Sequence, residues 1–174
     1  IYTMTEQETI RRDAMKKIME MGINHFPADL FEVNVSAKEI HDNYEREKLD
    51  FKNISIAGRI MSRRIMGKAS FADLQDSTGR IQLYINRDEI CPTEDKILYN
   101  DIFKKLLDIG DIIGVTGYVF TTQVGETSIH VQSLKLLSKA LRPLPIVKED
   151  ETGKKHDEVT DAEYRYRQRY VDLI

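Results

Sequence analysis

Between Ile54 and Ile85 the chain alternates apolar and polar residues in three runs, interrupted at Met66-Gly-Lys and at Asp76-Ser-Thr-Gly. Each run has the length and residue types of a strand, and each interruption carries turn chemistry, so the stretch predicts a three-stranded meander. Side chains alternate across a sheet, which sets Ala72 and Leu74 on one face of the second run and Phe71 and Asp73 on the other. In the third run Ile81, Leu83 and Ile85 share a face, opposite Arg80, Gln82 and Tyr84. One face can build a core. The other gathers an aromatic ring, an amide, a phenol and guanidinium groups, a set suited to bases and phosphates.

Helical periodicity flanks this meander. Thr5-Glu-Gln-Glu8 has the form of a capping box and leads into Ile10, Ala14 and Ile18 at steps of four, with Gly22 as a stop. Ser36-Ala-Lys-Glu39 repeats the signature before a short polar helix to about Lys48. After Pro92, residues Thr93 to Asp108 read as a helix with Ile97, Leu98, Ile102, Leu106 and Leu107 on one side, ended by Gly110. Two further strands follow, Asp111 to Thr122 and Thr127 to Leu137, joined by the glycine-containing hairpin Gln123-Val-Gly-Glu126. The order strand, strand, strand, helix, strand, strand predicts a mainly β fold with flanking helices, a five-stranded OB-fold barrel. The expected boundaries are a helical extension over 1–50, the barrel over 51–140, and a distinct segment over 141–174. In that last segment Leu141-Arg-Pro-Leu-Pro and the charged run Lys148 to Glu158 read as a linker. Thr160-Asp-Ala-Glu163 is a third capping box, opening a helix from Tyr164 to Ile174 that the sequence ends before it finishes, as in a fragment of a larger protein. Gly67 and Gly79 are expected at positive φ in their turns.

Composition narrows the function. The 174 residues, 41% hydrophobic and 32% charged, suit one domain with a full core plus appendages. No run approaches the roughly 20 apolar residues that span a bilayer, and no signal-peptide pattern opens the chain, so a cytoplasmic protein with no membrane partner is expected. The single cysteine, Cys91, forms no internal disulfide, and the scattered His25, His41, His130 and His156 lack metal-ligand spacing, so no metal is expected. A net charge of −3 excludes a globally basic, nonspecific nucleic-acid binder. Binding to nucleic acid then rests on a local patch, for which Arg59, Arg63, Arg64, Lys68 and Arg80 are the candidates. Arg11-Arg12 and Lys16-Lys17 lie mostly off the apolar line of the first helix, either solvated or in reach of phosphate.

The segment GRIMSRRIMGKASFADLQDSTGRIQLY, with LRPLP and the terminal YRYRQRYVDLI, closely resembles the N-terminal anticodon-binding domain of bacterial-type lysyl-tRNA synthetases and the entry to their class II catalytic domain. The resemblance covers nearly the whole chain and implies that 51–140 binds an anticodon and that 141–174 leads into a catalytic domain. By position in the family pattern, Phe71 matches the aromatic that stacks on the middle anticodon base, Gln82 the glutamine on its edge, and Arg64 the arginine ending the first strand. Glu126 matches a hairpin acid near a neighbouring base. Strict alternation from Ile54 instead sets Arg59 and Arg63 on the binding face, and a bulge after Gly58 would reverse the phase. Arg64 is therefore favoured, with Arg59 and Lys68 as further phosphate or base contacts. Taken alone, Gln82 reads as a solvated strand residue, Arg63-Arg64 as a surface pair, and Tyr164, Tyr166 and Tyr170 as packing residues.

The resemblance further implies a lysine tRNA with a U-rich anticodon as partner. ATP and Mg2+ would serve the full-length, homodimeric ligase, and the fragment itself would hold no catalytic residue, cofactor or metal. Two alternatives stand beside it: a stand-alone OB-fold module binding single-stranded nucleic acid, oligosaccharide or protein, or the equivalent domain of an aspartyl or asparaginyl enzyme.

Overall fold

A computed structural model describes residues 4–46 and 51–144, with 148–149, 155–156 and 166 beyond them. The chain divides into two compact units, residues 1–141 and 142–174. In the first unit five strands close a barrel in the order β1-β2-β3-β5-β4. They are β1 (Ile54–Met66), β2 (Ala69–Gln75), β3 (Arg80–Asn86), β4 (Ile112–Thr121) and β5 (Thr127–Ser138). All pairings are antiparallel except β3 with β5. The OB-fold expectation holds. Alternation does the sorting: Ala72, Leu74, Ile81, Leu83 and Ile85 are all buried, together with Ile113, Val115, Ile129 and Val131 from the last two strands. Gly117 marks a register shift between β4 and β5, where a Cβ would lie 1.9 Å from the His130 carbonyl oxygen, so only glycine admits this approach.

The phase of β1 is settled by a bulge. Its register with β2 slips between Ile60 and Ser62, leaving Met61 as the extra residue. Before the slip Ile54, Ile56 and Ile60 point inward; after it Arg64 faces Phe71 while Arg63 faces Ala72. The expected reversal occurs, three residues beyond Gly58. Gly67 has φ 69° at the β1–β2 turn as expected, whereas Gly79 is absent from the positive-φ glycines. The β2–β3 turn is instead held by the Asp76 side chain, whose Oδ1 accepts from the Thr78 N–H at 2.7 Å and the Gly79 N–H at 2.9 Å.

The connection from β3 to β4 departs from the expected single helix. A four-residue helix α3 (Arg87–Ile90), capped by the Asn86 side chain, comes first, and a π-helix follows over Leu98–Leu106. Its wide winding shows in the Leu107 N–H, which donates to the Ile102 carbonyl, and it changes which residues face the core. Ile97, expected inside, is exposed; Tyr99 and Phe103 are fully buried and stack with centroids 5.8 Å apart. The Tyr99 hydroxyl donates to the Gly67 carbonyl at 3.1 Å and lies 2.7 Å from Ser70 Oγ, joining this helix to the β1–β2 hairpin.

Both N-terminal capping boxes form, Thr5 with Glu8 on α1 (Glu6–Glu20) and Ser36 with Glu39 on α2 (Ala37–Asn43), the latter ending earlier than expected. On α1 the apolar line is shifted. At 3.6 residues per turn a strict step of four drifts around the helix, and the buried stripe runs through Arg11, Ala14 and Ile18 while Ile10 is exposed. Arg11 is thus neither solvated nor free for phosphate: its Nη1 donates to the carbonyls of Ile109 at 2.9 Å and Ala140 at 3.2 Å. Beside it the ammonium of Lys139, wholly buried, lies 2.8 Å from Asp111 Oδ2. Burial pushes the Asp111 carboxyl up, against the pull of Lys139.

In the second unit β6 (Lys148–Glu149) and β7 (Lys155–His156) pair antiparallel, where the charge run reads only as a linker. Tyr166 is helical and exposed; Thr160 to Glu163 and the other residues of the expected Tyr164 to Ile174 helix lie outside the described residues. Among the described residues no helix is long and apolar enough to cross a membrane.

Candidate nucleic-acid interface

The outer face of β1, β2 and β3 collects the expected residues. Phe71, half-buried, is the cross-strand partner of Arg64 on β1 and of Tyr84 on β3. The Arg64 guanidinium carbon lies 6.0 Å from the Phe71 ring centroid, and the Tyr84 ring 5.4 Å from it. Arg64 is exposed, so its remaining N–H donors point to solvent or to a ligand.

Gln82 differs from its expectation as a solvated residue. It is only 7% exposed, and both ends of its amide are engaged. Its Nε2 donates to Glu126 Oε2 at 3.0 Å, and its Oε1 accepts from the Ser128 hydroxyl at 3.0 Å. The fold thereby brings Gln82 and Glu126 together across 44 residues of sequence. The β4–β5 hairpin holds the acid in place, with the Glu126 N–H donating to Thr122 Oγ1 and Gly125 at φ 86°.

The basic patch does not assemble as one surface. Arg63 turns away, donating from Nη1 to the carbonyls of Phe103 and Leu107, with its guanidinium 5.7 Å from the Phe103 ring. Burial lowers its pKa, while Asp108 and Asp111 oppose the shift. Arg59 shares the outer face but donates to the Gly110 carbonyl at 2.9 Å. Its partner on β2 is Gln75, four residues from Phe71, roughly 13 Å along a strand. Lys68 is exposed at the β1–β2 turn, and Arg80 is exposed while donating to Gln75 Oε1 at 2.8 Å.

The sequence reading missed an aromatic belt that continues from Phe71. Tyr84 meets His130 at 4.9 Å and Phe120 at 6.0 Å, and His130 stacks on Tyr118 at 4.8 Å and 20°. The Tyr118 hydroxyl lies 2.9 Å from His130 Nδ1, and Glu89 Oε2 lies 2.6 Å from His130 Nε2. Burial and then the Glu89 charge raise the Tyr118 pKa. Parity in the last two strands carries a signal, since Tyr118 and Phe120 alternate with the buried Val119. What joins them to Phe71 is the parallel β3–β5 pairing, which sets Tyr84 against His130 and has no local sequence mark. The face offers a ring for stacking, a guanidinium donor, and an amide held at both ends. Among the described residues no three His, Cys, Asp or Glu side chains group as a metal site.

Residues 54–137 match the tRNA anti-codon family, described as an OB-fold nucleic acid binding domain. The chain is 59% identical over 98% of its length to a lysine–tRNA ligase of Christiangramia forsetii, and 55% identical over its whole length to one of Porphyromonas gingivalis. A lysine–tRNA ligase of Azobacteroides pseudotrichonymphae is 58% identical over 98% of the chain. The chain spans 29% to 34% of the length of these relatives.

Proposed function

Residues 54–137 belong to the OB-fold nucleic acid binding family and the chain is homologous to lysine–tRNA ligases; on that premise we propose that this barrel reads a U-rich anticodon of a lysine tRNA. The observation that carries the reading is the placement of Phe71, Arg64 and Gln82 on one outer face. Phe71 supplies the stacking platform for the middle base. Gln82 offers an N–H and a carbonyl lone pair to the base edge, and Arg64, which only donates, favours a uracil carbonyl over a cytosine amino group. Glu126 stands beside Gln82 at the rim, towards a neighbouring base. Lys68 and Arg80 are further exposed cations available to phosphate, and Arg59 a secondary one.

The whole protein would be a cytoplasmic, homodimeric ligase that joins lysine to its tRNA. ATP and Mg2+ would serve that reaction in the whole ligase, and this barrel would bind and orient the tRNA.

The test is a titration of a labelled anticodon stem-loop with uridine at the middle position, beside the same loop carrying cytidine. Lost edge contacts are worth roughly 1 to 3 kcal/mol, so the uridine loop is expected to bind about fivefold to a hundredfold more tightly. Equal affinity for both loops removes base readout from this face.

A further inference from the structure

The amide of Gln82 is held in one of its two orientations. An amide flip exchanges a donor for an acceptor at nearly the same positions, so the neighbours decide which way it lies. Glu126 presents a carboxylate that can only accept, and Oε2 sits 3.0 Å from Gln82 Nε2. The flipped amide would set a carbonyl oxygen against that carboxylate, acceptor to acceptor. On the other side Ser128, wholly buried and in register with Gln82 across β3 and β5, donates its hydroxyl proton to Oε1 at 3.0 Å. The Ser128 hydroxyl has one other acceptor, the Glu126 carbonyl, at 3.5 Å. Glu126, which only accepts, thus selects this orientation, and the Ser128 hydroxyl, able to donate or accept, completes it.

We infer that Glu126 is a positioning residue that locks the Gln82 amide and so sets the choice of uracil over cytosine. The inference rests on the anticodon reading proposed above. One amide proton and one carbonyl lone pair remain available in the locked state, and their order along the face is fixed. A uracil edge presents a carbonyl beside N3–H; a cytosine edge presents an amino group beside an unprotonated N3. A free glutamine serves either edge by flipping. A locked one serves the first and meets the second donor to donor and acceptor to acceptor. Sequence specificity at this position then depends on the Glu126 carboxylate that holds the amide.

The experiment compares the parent with Glu126→Gln and Ser128→Ala, titrating uridine and cytidine stem-loops against each. In Glu126→Gln the new amide satisfies either orientation of Gln82, and the expected result is a gain of affinity for the cytidine loop. The uridine-to-cytidine ratio should fall by about tenfold, the scale of one good edge contact. Ser128→Ala removes a hydroxyl able to serve either orientation and should leave the ratio near the parent's; a fall as large as that of Glu126→Gln overturns the assignment of the lock to Glu126. A ratio unchanged in Glu126→Gln, or a loss shared equally by both loops, overturns the lock. A parent that binds neither loop overturns the anticodon reading, and the orientation is then judged without RNA, from proton NMR of the Gln82 side chain. Its amide protons should show cross-relaxation with the Glu126 side-chain protons and none with the Ser128 β-protons; the reverse pattern overturns the lock by itself.

Discussion

Arg64 and Phe71 are direct cross-strand partners on the outer face of the barrel, the guanidinium carbon 6.0 Å from the ring centroid. That geometry orders a cation over one part of an aromatic face and keeps the pair solvent-accessible. It exists because one extra residue in β1 turns Arg64 outward and sends Arg63 to the opposite side.

Phe71 tests whether the platform binds RNA or holds the fold. Phe71→Ala should weaken binding of the uridine stem-loop by about 1 to 3 kcal/mol, the range for one base–aromatic stack. Stability should fall by about 0.5 to 1.5 kcal/mol through the lost pair with Tyr84, well short of the roughly 3 to 5 kcal/mol of a buried phenylalanine. Ala72→Leu, at a position facing the core, is the control and should cost about 1 to 3 kcal/mol of stability by overpacking. Normal binding by Phe71→Ala removes the ring from the interface.

Adjacent arginines should behave oppositely. Arg63→Ala loses two charged hydrogen bonds to the carbonyls of Phe103 and Leu107, and a denaturant melt should show a loss of about 1.5 to 3 kcal/mol. Arg64→Ala should melt like the parent and bind RNA more weakly. The inverse pattern would place the bulge at a different residue.

Salt dependence should be shallow. With Arg63 committed to the fold and Arg59 to the Gly110 carbonyl, Arg64, Lys68 and Arg80 remain for phosphate. Three contacts on a single-stranded loop give a log K against log salt slope of about −2. A slope steeper than about −4 would mean that further cations reach the RNA.

Removing one partner of the buried pair isolates its role. Lys139→Met leaves the buried Asp111, and Asp108 beside it, without the ammonium that bridges both, and breaking such a contact costs about 3 to 5 kcal/mol. A stability within about 1 kcal/mol of the parent would show that Asp111 protonates or hydrates instead.

Asp76 carries a pH signature. Burial pulls its carboxyl up, but the N–H groups of Ala37, Thr78 and Gly79 and the Thr78 hydroxyl hold it below the ordinary value. A depressed folded pKa contributes stability that is present above the unfolded value, near 3.9, and is lost as pH falls through the folded one. Asp76→Asn should therefore flatten the acid limb of a stability-against-pH curve below about pH 4. An acid limb identical to the parent's removes Asp76 from the linkage.

The sequence by itself determined the elements whose signals are local. Alternation in the meander fixed which residues of β2 and β3 face the core, and both capping boxes lay where side-chain and backbone partners are only three residues apart. The candidate face of β2 and β3 followed, because parity is a property of the strand alone, whereas in β1 alternation by itself sets Arg63 outward and the bulge against β2 decides for Arg64. Tertiary structure decided what depends on distant partners. The π-winding that buries Tyr99 and Phe103 answers to the Gly67 carbonyl and Ser70, some thirty residues away. Arg11 is buried because carbonyls at Ile109 and Ala140 need a donor, which no periodicity in α1 records. Gln82 looked solvated because its partners arrive only when β5 lies parallel to β3. A charged or amide group chooses between water and protein by which partners the closed barrel brings within about 3 Å, and those come from distant parts of the chain.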